Sequence, residues 1–173
     1  MSDANAPDYV ADAQSDDGRP PAEIVAEYAR GAASLREAVA GMGGDDLRAR
    51  PVPGRWSTLE LLCHLADCEQ MYAERLKRTL GMDRPLLMGI DPVAYAEPLR
   101  HNGRDPALVL DLFAVTRAEC AAALEGLGDD QWRRQAVHSE TGLVTVRQLV
   151  LHPCRHLDHH LPFIAEKRRD LGN

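Results

Sequence analysis

Apolar positions recur in steps of three and four over Ile24, Tyr28, Ala32, Leu35, Val39 and Met42, the period of one helical face. The spacing predicts a helix over 22–42, opened at Pro20-Pro21, where a missing N–H costs nothing, and closed by Gly43-Gly44. A second stripe, Leu61, Leu65, Cys68, Tyr72 and Leu76, follows "WSTLEL". There Ser57 and Glu60 make a capping box, with Trp56 and Leu61 at the hydrophobic-staple positions. It predicts a helix over 57–80. The third predicted helix, 105–126, starts at "DP", with Asp105 as cap and Pro106 in the first turn. The fourth, 145–171, repeats the second's opening: Thr145 and Gln148 form the box, Val144 and Leu149 the staple. Between the second and third helices, residues 81–104 show no period. Such a connection is expected to cross the end or side of the helices, and long ordered loops are often functional.

The halves resemble each other. "GMGGDDLRARPV" (41–52) matches "GLGDDQWRRQAV" (126–137), and a histidine follows each cap by seven residues, His64 after Ser57 and His152 after Thr145. A duplicated helical hairpin gives four main helices, hence an all-α four-helix bundle with a long crossover connection. Residues 1–20 carry five Asp and little to bury, which reads as a disordered acidic tail ahead of one domain over 21–173.

Charge and composition narrow the function. A formal charge of −7 and a pI near 5.5 argue against general binding to nucleic acid or anionic membranes. No apolar run approaches a membrane span, and residues 1–20 lack the apolar core of a signal peptide, so a cytoplasmic protein is expected. Cys63, Cys68, Cys120 and Cys154 show no CxxC spacing and read as free, mostly buried thiols, with a reactive or metal-binding cysteine as the alternative. There is no Ser-His-Asp arrangement, phosphate-binding glycine loop or nucleotide fingerprint.

The chemistry concentrates in "LHPCRHLDHHLPFI" (151–164), which holds four of the seven histidines. His152, His156 and His160 fall every fourth residue, on one face of a helix. Two histidines at i and i+4 aim their rings at one spot, the spacing of helical zinc motifs. His64, at the edge of an apolar stripe, can supply a third nitrogen. Spacing does not choose between the pairs 152/156 and 156/160, and imidazole suits zinc, nickel, iron or copper alike. Glu60, Asp67 and Asp158 are candidate supporting carboxylates; the plainer reading makes Glu60 a capping residue and leaves both aspartates facing solvent. Pro153 and Pro162 each remove a helical hydrogen bond, freeing the carbonyls of Leu149 and Asp158, and a bend is expected near Pro153.

"WSTLELLCHLADCEQMYAERL" (56–76), followed far downstream by "TVRQLVLHPCRHLDHHLPFI" (145–164), resembles the DinB/YfiT-like family of metalloenzymes. "LRARPVPGRWS" and the "ID…YAEPL" loop extend the likeness from about residue 22 to the end. The resemblance implies a four-helix bundle of unusual connectivity and a three-histidine metal site. In the family one ligand follows the Trp-Ser start, which is His64 here. The other two lie four apart and end in a His-His doublet, which selects His156 and His160 and leaves His152 and His159 outside. The metal it implies is divalent, zinc or nickel with iron as a third option. The implied activity is S-transfer with a low-molecular-weight thiol such as mycothiol or bacillithiol, or metal-assisted hydrolysis. The implied partners are a small-molecule substrate and a second copy of the chain, with no nucleic acid and no membrane. A different class, a non-catalytic metal-binding or stress-response bundle, shares the same ligands. No further catalytic residue is identifiable.

Overall fold

A computed structural model describes residues 14–172. The long helices are α1 (Pro21–Ala38), α3 (Thr58–Gly81), α4 (Pro106–Leu124) and α6 (Val146–Leu171), with short helices α2 (Gly44–Arg48) and α5 (Asp129–Trp132). α1 packs on α4 and α6, and α3 packs on the same two. α1 and α3 therefore occupy diagonal corners, so the helices of each half are separated by helices of the other. This four-helix bundle places α3 directly against α6.

The helix starts follow local chemistry. Ser57 Oγ accepts from Glu60 N–H at 3.0 Å, and Glu60 Oε2 accepts from Ser57 N–H at 2.8 Å. At α6, Gln148 N–H donates to Thr145 Oγ1 at 3.3 Å and Thr145 N–H to Gln148 Oε1 at 2.9 Å. α1 stops at Ala38, ahead of Gly41 in the left-handed region at φ 82°. α6 continues from 146 to 171 through both prolines. The repeat also has a structural counterpart. α2 and α5 open at Gly43 and Gly128, capped by Asp46 and Gln131, and each buries its one large apolar residue, Leu47 or Trp132.

The halves diverge after those short helices. In the second, β2 (Gln135–His138) and β3 (Gly142–Thr145) form an antiparallel hairpin, and β1 (Leu86–Leu87) joins β2 in parallel. Leu87, Ala136 and Val144 form a small core of their own beside Leu149. The connection of 81–104 runs along α3, where two 3-10 turns, Pro92–Tyr95 and His101–Gly103, pack. His101 is fully buried there, its Nε2 3.0 Å from Asp67 Oδ2, within ion-pair distance although not aligned as a hydrogen bond.

The bundle interior carries a buried ion pair. Arg117 on α4, 1% exposed, donates from Nε to Glu69 of α3 at 2.9 Å, from Nη2 to the Pro153 carbonyl of α6 at 2.8 Å, and from Nη1 to the Tyr28 carbonyl of α1 at 3.1 Å. Its guanidinium lies 4.7 Å from the ring centroids of Tyr28 and Phe113, and the Tyr28 hydroxyl donates to Glu69. One side chain thus ties all four long helices together. Gly31 leaves the room it needs, since a Cβ there would lie 1.9 Å from Arg117 Nη1.

Residues 1–13 of the expected tail lie outside the described residues. Residues 14–19 dock on α6: Arg147 pairs with Asp16 at 2.6 Å, and Gln148 Nε2 donates to the Gln14 carbonyl at 2.5 Å. Among the described residues no helix is long and apolar enough to cross a membrane.

Candidate metal centre

The cap at Ser57 sets where α3 begins, so His64 enters the bundle two turns later and is 5% exposed. On the facing α6, His156 and His160 stand one turn apart. His64 Nε2 and His160 Nε2 lie 3.2 Å and 3.1 Å from His156 Nε2. His156 is therefore the hub, with one ring nitrogen of His64 and one of His160 beside it. The spacing is close to that of ligand atoms arranged around an ion at about 2.0–2.1 Å. Neutral imidazoles facing one another in this way can share few protons among several lone pairs, and a cation resolves that repulsion.

Cys68 is a further donor at this place. One turn after His64 on α3, its Sγ lies 3.8 Å from His64 Nε2. The set whose ligand atoms all lie within 4.8 Å of one another is His64, Cys68 and His156; His160 is outside it and reaches the cluster through His156. His152 and His159 sit outside the convergence. The His152 ring stacks behind His156, centroids 6.3 Å apart and 8° from parallel, and meets Tyr72 edge-on at 5.2 Å. The His159 ring lies against Phe163 at 5.2 Å.

Burial controls the protonation of these groups. It holds His156 well below its ordinary value, helped by His160 and His64. It also takes His160 down to about 3, helped by His64. Both rings are neutral at neutral pH, the form that ligates. Burial pushes the Cys68 thiol up, so this sulfur keeps its proton in the metal-free protein. His160 Nδ1 is buried without a hydrogen-bond partner.

The three candidate carboxylates have other partners or face outward. Glu60 closes the α3 cap and takes two bonds from Arg50 at 2.9 and 2.6 Å. Burial opposes its ionisation, but Arg50 and the Ser57 N–H outweigh burial and hold its carboxyl below the usual value. Asp67 faces His101, and Asp158 is exposed on α6. The donor set is therefore imidazole and thiol. In the sequence Cys68 belongs to an apolar stripe and reads first as a free thiol, with metal binding as the alternative; its place four residues after His64 is the signal that puts it on the same face.

A helical bundle whose diagonal pairing sets two histidine-bearing helices face to face, with their ring nitrogens converging, defines the class. A family model described as the DinB superfamily matches residues 27–164, and the chain belongs to that superfamily. It is 28% identical over 141 residues to a Bacillus subtilis protein named "Putative metal-dependent hydrolase YfiT", covering 81% of this chain and 79% of that one. It is 26% identical over 140 residues to a Bacillus licheniformis protein whose name also begins "Putative metal-dependent hydrolase", covering 80% and 79%. The solved structure of YfiT, described as a probable metal-dependent hydrolase with an unusual four-helix bundle topology, superposes with a TM-score of 0.82 at 25% identity over 91% of each chain.

Proposed function

We propose that this chain is a metal-dependent enzyme in which His64, His156 and His160 hold one divalent transition ion, zinc or nickel, and that it transfers a small-molecule thiol to an electrophile. The observation that carries the reading is the approach of two ring nitrogens, those of His64 and His160, to His156 Nε2 at 3.2 and 3.1 Å. When bound, such an ion lowers the pKa of water towards about 7 or holds a thiol as thiolate. The protein's own contribution is neutral. The three imidazoles bring no charge, and the candidate carboxylates are engaged elsewhere or exposed, so an anionic exogenous ligand is favoured. Burial keeps the rings unprotonated, and the aromatic rings of Trp56 and Tyr72 flank His64 and His156, centroids 5.3 and 5.9 Å away.

A second reading, hydrolysis with the same ligands, draws on the printed names of the relatives. The test loads protein purified without a histidine tag with zinc or nickel. Elemental analysis should return one ion per chain. The loaded protein should consume a small thiol together with a model electrophile faster than it hydrolyses a model ester. Ester hydrolysis without thiol consumption would favour the second reading; neither activity in a loaded protein would favour a non-catalytic metal-binding bundle.

A further inference from the structure

The exposed apolar residues of this chain are concentrated in one place. Of the nine large ones among the described residues, six lie on the small sheet and the segment around β1: Met82, Leu86, Met88, Ile90, Val137 and Leu143. Strand register gathers three of them into a row. Leu86 is opposite Val137, and Val137 is opposite Leu143, so the three side chains stand side by side on one face of the sheet. They are 52%, 37% and 54% exposed, while Leu87, Ala136 and Val144 turn inward to the small core. β1 is also an edge of the sheet. An apolar face beside an open edge invites contact with another segment.

The chain holds such a segment close by. Residues 14–19 are strapped to α6: Arg147 holds Asp16 and the Arg19 carbonyl, Gln148 holds the Gln14 carbonyl, and Arg155 holds Ser15. At the end of the strap, Gln14 Nε2 donates to the Thr141 carbonyl at 2.5 Å. Thr141 lies in the β2–β3 turn, two residues before Leu143. Residues 1–13 therefore set out from the Leu143 end of the row. With strands about 4.8 Å apart, the row spans about 10 Å, and five extended residues reach about 16–18 Å. Tyr9 and Val10, adjacent large side chains, stand five and four residues ahead of Gln14, within reach of the whole row. Asp3, Asp8 and Asp12 share the segment, and the rim does not repel them as a block. Asp83 and Arg84 stand between Met82 and Leu86, Arg134 bonds the Met82 carbonyl, and Glu140 lies against Gly89, so the charges around the patch balance.

We propose that residues 1–13 cover the outer face of the sheet of their own chain, with Tyr9 and Val10 packed on Leu86, Val137 and Leu143. The tether at Gln14 gives this segment a high effective concentration at the face, which a second copy or a separate partner lacks. No residue of the metal centre takes part, so the proposal is independent of the function proposed above.

Methyl NMR of the full chain tests it, with Tyr9→Ser as the perturbation. An aromatic ring shifts the resonances of methyl groups packed against it. In Tyr9→Ser the Leu86, Val137 and Leu143 methyls should move, while those of Leu108 and Val115, exposed on α4, should stay. Tyr9→Phe keeps a ring and should leave the row near its wild-type shifts, and dilution of the wild-type protein should change nothing. Row methyls that do not move in Tyr9→Ser would overturn the proposal. So would row shifts that follow protein concentration, which would assign the face to a second copy. A dye that fluoresces on apolar surfaces gives a second reading. Tyr9→Ser/Val10→Ser should bind more of it than the wild-type protein, and adding Leu143→Asp should reverse the gain. Equal dye binding by the wild type and the double variant would also overturn the proposal. The methyl comparison decides even if Leu143→Asp fails to fold.

Discussion

Replacing Arg117 with methionine tests how the bundle is held around its centre. The change leaves Glu69, 1% exposed, as a buried carboxyl group with the Tyr28 hydroxyl still beside it and its cation gone. Removing one partner of a buried pair costs about 3–5 kcal/mol. With a urea slope of about 2 kcal/mol per M, the order expected for a domain of this size, a loss near 4 kcal/mol lowers the midpoint by about 2 M. The loss should depend on pH in a defined direction. Burial already raises the Glu69 pKa, against the pull of Arg117 and Tyr28, and without Arg117 it rises further. An acid whose folded pKa is raised binds more protons folded than unfolded, so stability falls as pH increases. The deficit of Arg117→Met should therefore be larger at pH 8 than at pH 5. Adding Glu69→Gln, which removes the stranded charge and keeps a partner for Tyr28, should recover more than half of it. The assay is urea unfolding followed by circular dichroism at both pH values. A deficit under about 1 kcal/mol that is flat in pH would refute the reasoning.

Three further outcomes are expected. Gly31→Ala places a methyl group 1.9 Å from Arg117 Nη1 and 2.8 Å from Leu157 Cδ2; urea unfolding should show a loss of about 1–3 kcal/mol, smaller in the Arg117→Met background because the sites couple. Ser57→Ala removes the α3 cap bond to Glu60 N–H and should cost about 1 kcal/mol, with faster hydrogen exchange confined to the first turn of α3. Burial lowers His156, His160, His138 and His101 below 6.5, so below that pH the unfolded chain takes protons that the folded one refuses. The metal-free Tm should then fall as pH drops from about 6.5 towards 3, and His156→Ala/His160→Ala should flatten the curve.

Helix starts were legible because their determinants are local. Ser57 with Glu60, Thr145 with Gln148 and Asp105 before Pro106 each lie within a few residues of the boundary they set, and all four long helices begin within one residue of the expected start. The end of α1 came earlier than the stripe implied, because Val39, its C-cap, and Met42, beyond the turn at Gly41, stay apolar after the helix has ended at Ala38. The sheet was not legible. β1 is two residues long and its partner β2 lies about fifty residues downstream, so no period of two could build up in either segment. Arg117 likewise reads as one polar residue within a mostly apolar helix until Glu69, Tyr28 and Pro153 are placed around it. In the candidate centre, spacing alone left two histidine pairs equivalent. The family resemblance favoured 156/160, and the fold sets His160 beside His156 while His152 stacks behind it.

X-ray absorption at the metal edge of zinc- or nickel-loaded protein, in buffer free of thiols, addresses the central claim most directly. Cys68 lies close enough to compete, yet its buried thiol would first have to lose a proton, whereas the histidine rings are already neutral. Three imidazole nitrogens at about 2.0–2.1 Å and an exchangeable oxygen are the expected shell, reduced in His156→Ala. A protein sulfur at about 2.3 Å that disappears in Cys68→Ser, or a spectrum unchanged in His156→Ala, would contradict the three-histidine centre.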